Sequence, residues 1–397
     1  MSIACEDTMS NCRPRLVILT NIIAPARIPL FSGLADHFEV VVLHGGTESN
    51  RESWKEIGTG SSKFASVKAW GWQIRTARRE NGQIFDKLHF HITPGYVWHL
   101  LRIKPDIIVS AEMGLRTLMA LVYGTLFGKP VWVWWGGTCH TERNIGLMRT
   151  CVRALISKWA RHWISYGESS TEYLLTLGIP PQRILQIQNA VDELRFLAPA
   201  KPHFDMQVRP VLLHVGQLIA RKGVDALLRA AAVLQREGHR FSLLLVGNGP
   251  EREGLWRLTV DLGLQNVFFV PALPPEKMPA IYRSADVLVF PTLEDVWGLV
   301  ANEAVLSGLT VLCSKYAGCA QELFSPQSVF DPENPAEFIS KLRDALCGRM
   351  PVPDPARLLG TPQIVSSLTE AFEGSRHQGK RDRTYHASTS DLRAAKL

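Results

Sequence analysis

Val287-Leu-Val-Phe-Pro-Thr-Leu-Glu-Asp-Val-Trp-Gly-Leu-Val-Ala-Asn-Glu-Ala304 is the stretch from which the rest of the chain can be read. Its first four residues are apolar without alternation, Pro291 breaks the run, a polar loop follows, and Gly298 opens a helix-compatible segment. A strand that is apolar along its whole length and feeds a helix belongs to a parallel sheet covered on both faces. The helix start presents the bare N–H groups of Gly298, Leu299 and Val300, a ready site for an anion. Asp295, on the loop before it, can reach the hydroxyls of a bound sugar. Glu303, more than one turn into the helix, can accept hydrogen bonds from a ribose. Carboxylates such as Glu294, Asp295 and Glu303 are also favoured at a helix start by the dipole alone, so the turns upstream decide their meaning.

Two such turns precede it. Val211-Leu-Leu-His-Val-Gly-Gln-Leu-Ile-Ala-Arg-Lys-Gly223 runs a buried strand into a loop. There Gly216 lets the backbone approach a ligand, and Lys222, at a helix start, offers positive charge to a phosphate. Leu243-Leu-Leu-Val-Gly-Asn-Gly-Pro250 repeats the pattern without completing a GxGxxG. Apolar runs predict further strands at 16–20, 40–43, 107–110, 131–135 and 163–166 in the first half, and at 267–270 and 310–313 in the second. Helical patterns separate them. The Pro-bearing stretch 192–210 divides the chain. The predicted fold is α/β: two Rossmann-like doubly wound βα domains, 14–195 and 209–350, facing each other across a cleft lined by the carboxyl ends of their strands. A helix over 351–373, with packing back on the N-terminal domain as one option, and a disordered polar tail at 374–397 complete the expectation.

Composition narrows the function classes. With 46% hydrophobic residues and a mean hydropathy near zero, 397 residues suit two or three globular domains and no disordered or fibrous class. The net charge of +7 is uneven: 22 Lys and Arg against 16 Asp and Glu up to residue 195, and 22 against 21 thereafter. The basic first half favours an anionic partner. No basic cluster with interleaved aromatics, zinc-finger or helix-turn-helix pattern occurs, so nucleic acid is not expected. Seven Cys without a CxxC pair indicate neither a disulfide framework nor zinc, and point to the cytoplasm. Residues 1–12 lack the apolar core of a secretory signal, and the longest apolar run, 117–127, is too short to span a bilayer.

Residues 209–325 resemble the C-terminal donor-binding domain of the family 4 retaining glycosyltransferases, which have the GT-B fold. A Gly-loop-Lys-Gly element, a Val-Gly-x-Gly-Pro turn, and a carboxylate followed by seven residues and a Glu occur in the family's order. The resemblance implies transfer of a hexose from a nucleoside diphosphate sugar to a glycan or lipid-linked glycan acceptor, with retention, no metal and no further cofactor. It places the diphosphate on Lys222, helped by Arg221, with Gly216, Gln217, Gly247 and Asn248 on the neighbouring turns. The amides of Trp297, Gly298, Leu299 and Val300 would hold phosphates and sugar hydroxyls, and Glu303 the ribose. The nucleobase would meet the backbone of Ala272 and Leu273. Asp295 stands where the family has Glu against the donor sugar, and Gln217 where it often has Arg.

The N-terminal half shares the architecture and few motifs. Val131-Trp-Val-Trp-Trp-Gly-Gly-Thr-Cys-His140 ends a strand in a glycine turn. The resemblance lays His140 over the donor sugar, a catalytic position alongside Lys222 and Asp295. An ordinary loop histidine is the other reading. Glu112, together with Asn21, Arg27 and Pro29 after the first strand, are the acceptor-side candidates. The basic stretch 149–163, with Val152, Leu155, Ile156, Trp159 and Trp163 on one side, reads either as a core-packed helix or as a contact with anionic membrane. The latter would place the protein peripherally on the inner face of the cytoplasmic membrane, in bacterial surface or exopolysaccharide synthesis. A sugar-nucleotide epimerase of the same fold and a catalytically silent nucleotide-sugar-binding partner are the alternatives. Retention of Lys222 and Glu303 speaks against the silent partner.

Overall fold

The computed structural model describes residues 13–45, 63–80 and 83–394, the stretches 73–91 and 378–394 in backbone only. The segment 1–12, read above for a secretory signal, lies outside the described residues, as do 395–397.

Two parallel sheets form the frame. The first contains β1 (Arg15–Thr20), β2 (Glu39–His44), β3 (Ala65–Lys68), β6 (Ile107–Ala111), β7 (Val131–Trp135), β8 (His162–Tyr166) and β9 (Ile184–Ile187), in the order β3-β2-β1-β6-β7-β8-β9. Between β3 and β6 the chain makes an antiparallel hairpin of β4 (Trp72–Glu80) and β5 (Gln83–Ile92). The second sheet contains β10 (Val211–Val215), β11 (Ser242–Val246), β12 (Val267–Val270), β13 (Val287–Phe290), β14 (Thr310–Ser314) and β15 (Val329–Phe330), in the order β12-β11-β10-β13-β14-β15.

Each sheet feeds two cores because side chains alternate across a strand. Leu16 and Ile18 enter one layer of the first domain, Val17 and Leu19 the other. Val211 and Leu213 enter one layer of the second, Leu212 the other. Both faces are covered by helices, which is why the strands read as unbroken apolar runs. Strand order reverses at β1/β6 and at β10/β13, so each sheet opens a crevice at the carboxyl ends of that pair.

The strands absent from the sequence reading are β3, the β4–β5 hairpin, β9 and β15. β3, β9, and β15 are two to four residues long and lie at sheet edges. The stretch between the domains holds a short helix, Glu193–Leu197, anchored by buried Phe196. The last helix, Thr361–Ala394, returns to the first domain. Its Ile364, Val365, Leu368 and Phe372 enter the layer of Leu16, Phe38 and Trp132, with Phe372 edge-on to Trp132 at 5.4 Å. The polar segment from Gly374, expected to be disordered, continues this helix to Ala394. Its charged and amide residues are competent helix formers once packed turns have nucleated the helix.

Candidate active site

The loop after β13 is held in one shape by its neighbours. Asp295 N–H donates to Tyr316 O at 3.2 Å, and Gly318 N–H donates to Asp295 O at 3.1 Å. Gly298 ends the loop at φ +106°, where a Cβ would lie 2.4 Å from Phe290 Cε1, so only glycine fits. The helix Leu299–Leu306 starts there without a side-chain cap, leaving its first amides directed out of the end.

Lys222 arrives from the loop after β10. Its neighbour Gly223 sits at φ +62°, and a Cβ on it would fall 2.2 Å from Pro291 O. The two loops can touch only because residue 223 is glycine. Lys222 Nζ then donates to Asp295 Oδ2 and lies 5.4 Å from the centre of the Phe290 ring. Burial would raise the Asp295 carboxyl, but the charges of Lys222 and Arg221, with hydrogen bonds from Lys222 and the Trp297 amide, hold it below the usual carboxylate range.

Two expected donor contacts take other partners. Arg221 Nη1 donates to Glu294 O at 2.7 Å, which ties its guanidinium to the loop. Trp297 gives its amide to Asp295 Oδ1 at 3.2 Å, and its fully buried indole donates to Asn302 Oδ1 at 2.9 Å. The amides left at the helix start are those of Gly298, Leu299 and Val300. Asn302 in turn donates to Asn189 O at 2.9 Å, a link to the first domain that sequence reasoning missed.

Glu303 lies one turn on, half-buried, and accepts from Tyr282 Oη at 2.5 Å. Burial pushes its carboxyl up to about 7 against the pull of Tyr282 and Arg195. The turns after β10, β11 and β12 are laced together. Leu218 N–H donates to Asn248 O at 2.9 Å, Gly247 N–H to Val270 O at 2.9 Å, and Ala272 N–H to Asn248 Oδ1 at 3.3 Å. Gly216, Gln217, Gly247, Asn248, Ala272 and Leu273 thus sit together at the strand ends.

From the first domain, His140 reaches the loop after β13: Nε2 is 2.8 Å from Leu293 O, and the ring stacks on Tyr316 with centroids 4.0 Å apart. Arg143 Nη1 lies 3.3 Å from Glu294 Oε2. Neither Tyr316 nor Arg143 carried a sequence signal. Arg27 lies against the packed Trp134 and Tyr166 rings, its guanidinium 4.5 and 4.8 Å from their centres and bonded to Tyr166 Oη. Glu112 follows β6 at φ +71°, a conformation that non-glycine residues adopt at a cost and that clusters at functional sites. Its exposed carboxylate lies 3.4 Å from Asn21 Nδ2 and 3.5 Å from Arg116 Nη2.

Two N-terminal stretches take definite places. Pro29 lines a separate groove of about 1110 Å³ with Gly33, Leu194, Thr361 and Val365, because it opens the helix that packs on the C-terminal helix. The basic helix spans Leu147–Trp159, with Trp163 instead in β8; Val152, Ile156 and Trp159 join the core, whereas Leu155, expected on the same side, is exposed. Arg153 turns inward to Glu142 and over the Trp135 ring, so the helix has less basic surface than its sequence suggested. No helix among the described residues is long and apolar enough to cross a membrane.

Residues 201–357 match the family described as Glycosyl transferases group 1. A GDP-mannose-dependent alpha-(1-6)-phosphatidylinositol monomannoside mannosyltransferase of Mycolicibacterium smegmatis is 34% identical over 233 residues, 56% of this chain and 57% of that protein. A D-inositol 3-phosphate glycosyltransferase of Nocardia farcinica is 39% identical over 118 residues, 28% of this chain and 26% of that protein. The chain thus spans only about a quarter to somewhat over half of these two curated relatives. Among solved structures, HepE of Anabaena in complex with UDP superposes with a TM-score of 0.63 at 15% identity, covering 94% of this chain and all of that one. Sucrose-phosphate synthase of Thermosynechococcus elongatus gives 0.64 at 17%, covering 95% and 100%. The fold is GT-B: two Rossmann-like domains on parallel sheets of seven and six strands.

Proposed function

We propose that the protein is a retaining, family 4 glycosyltransferase that moves a hexose from a nucleoside diphosphate sugar to a glycan or lipid-linked glycan acceptor. The observation that carries this is the pairing of Lys222 with the uncapped helix start at Gly298, on either side of Asp295, at the ends of adjacent strands. In such a transfer the bond between the sugar and the diphosphate breaks and negative charge grows on the leaving phosphate. The Lys222 ammonium and the amides of Gly298 to Val300 stabilise that charge, the largest electrostatic task of the reaction, without a metal. The acceptor hydroxyl attacks from the same face and passes its proton to the leaving phosphate oxygen. Asp295 holds Lys222 in place and faces the sugar hydroxyls, Glu303 takes the ribose, and His140 covers the sugar from the opposite domain. Arg27 and Glu112 belong to the acceptor wall.

The basic excess of the first half supports peripheral contact with an anionic membrane on its cytoplasmic face, in the assembly of bacterial surface polysaccharide. A thermal-shift series with UDP, GDP, ADP and their common sugars tests the donor site. One nucleotide should raise the melting temperature, and Lys222→Ala should abolish the shift. No shift with any of them, in folded protein, would sink the donor assignment. Product analysis with and without acceptor separates transfer from epimerisation, which needs no acceptor.

A further inference from the structure

We infer that Tyr282 is a positioning residue that orients the Glu303 carboxylate for the donor ribose, and so sets the preference for ribonucleotides over deoxyribonucleotides. The inference rests on the donor-site reading above. Tyr282 is fully buried at the end of the short helix Met278–Tyr282, its ring edge-on to Phe196 at 5.7 Å. Its hydroxyl points at the helix Leu299–Leu306, 2.5 Å from Glu303 Oε2 and 3.5 Å from Val300 O. A buried phenol needs a hydrogen-bond partner, and this one has taken an oxygen of the candidate ribose ligand.

That choice has a chemical consequence. A free glutamate on a helix samples several rotamers, and each must be frozen when a ligand binds. With Oε2 held from the buried side, the carboxylate plane is set before the nucleotide arrives, and Oε1 remains for the ribose hydroxyls. Preorganisation of this kind raises affinity by removing an ordering cost. It also raises selectivity, because a ligand lacking one hydroxyl leaves a fixed, half-buried acceptor without its donor. Arg195, on the linker helix Glu193–Leu197, places its positive charge near the same carboxylate and favours its ionised form. Phe196, the next residue of that helix, packs against the Tyr282 ring, so the interdomain crossing supports both ends of the contact.

The test compares UDP or GDP, whichever binds, with its 2′-deoxy counterpart by titration calorimetry. Unmodified protein should prefer the ribonucleotide about 10- to 100-fold, the value of a hydrogen bond to a charged group. Tyr282→Phe, which keeps the ring, should compress that preference to about 3-fold and raise KM for the donor while leaving kcat nearly unchanged. Tyr282→Met, also without the hydroxyl, serves if the first variant does not fold. Glu303→Ala should remove the preference by itself, and adding Tyr282→Phe should then change nothing, since the tyrosine acts only through Glu303. An unchanged preference in Tyr282→Phe, or an additive loss in the double variant, would overturn the inference. Failure of the unmodified protein to bind any nucleoside diphosphate would instead overturn the donor site itself.

Discussion

The two walls of the cleft are made by different means. The C-terminal wall comes from turns that each follow one strand directly: Gly216 to Gly223 after β10, Gly247 and Asn248 after β11, Pro291 to Gly298 after β13. Its chemistry is largely backbone, with bare amides and glycines that let loops touch, and a single lysine–aspartate pair at the centre. The N-terminal wall is assembled from side chains far apart in the chain. Arg27 packs against both Trp134 and Tyr166, and Arg116 joins Asn21 to Ala111 O beside Glu112. A diphosphate is the same in every sugar nucleotide and suits a fixed backbone cradle. An acceptor is recognised by its own hydroxyls and rings, which side-chain constellations can follow.

If that division holds, changes on the two sides should have separable effects. The largest is expected from Lys222→Ala. It removes the charge facing the leaving group and leaves Asp295 unpaired, and should lower turnover by about 10²- to 10³-fold, measured by product formation at saturating donor. A loss confined to acceptor KM would break the comparison. Next comes Gly223→Ala, whose Cβ meets Pro291 O at a left-handed φ. Calorimetric unfolding should show a cost of about 3 kcal/mol, with nucleotide binding weakened because the two donor loops can no longer touch.

Acidification offers a third probe. Burial, with Arg161 and Arg183 nearby, pushes His162 in the first domain down to about 4, and burial beside Lys222 does the same to His214 in the second. Between the ordinary histidine value near 6.5 and about 4, the unfolded chain binds protons that the native state refuses, so stability falls as pH drops through that window. In the second domain Glu303 works the other way. Its carboxyl, at about 7 when folded, takes up a proton before the unfolded chain does, and gains stability between pH 7 and about 4.5. The first domain should therefore lose roughly 2 kcal/mol by pH 5 while the second changes less. Urea unfolding at pH 7.5 and 5, with proteolytic fragments assigned to each domain, reads each domain's change. A larger loss of stability in the second domain than in the first would refute it.

The smallest effect is expected where the walls meet. Arg143 is about a third exposed, so its ion pair with Glu294 is screened, and Arg143→Ala should cost no more than about 1 kcal/mol of stability. It should raise donor KM by a small factor, checked by steady-state kinetics, because the pair holds the residue preceding Asp295. An effect on acceptor KM alone would place Arg143 on the other wall.

The turns of the second domain were legible residue by residue because each is a matter of local order. Lys222, Asp295, Gly298 and Glu303 stand where their motifs lead one to look, and a strand–loop–helix turn carries its geometry with it. The exceptions on that side are contacts whose partners are remote. The spacing that suggested a free amide at Trp297 could not reveal that Asp295 takes it, nor that Arg221 turns to Glu294 O. Tyr282 sits 21 residues before Glu303 with no pattern joining them. In the first domain the apolar run 131–135 was visible, yet not that Trp134 in it would take Arg27 over its ring. The amphipathic helix Leu147–Trp159 could be recognised, yet not that Arg153 points inward.

Sequence alone determined the α/β class, the alternation of buried strands and helices, and which residues stand in the turns at the strand ends of the second domain. Each depends on hydrophobic periodicity or on residues within one turn, over distances that neighbouring backbone geometry governs. Tertiary structure decided which arginines are tied to partners and which tyrosines support the site. It also decided that the last helix packs on the first domain and that His140 meets the loop after β13. These depend on side-chain packing between segments more than a hundred residues apart in several cases, where many alternative partners have similar local preferences and only burial in one common fold selects among them.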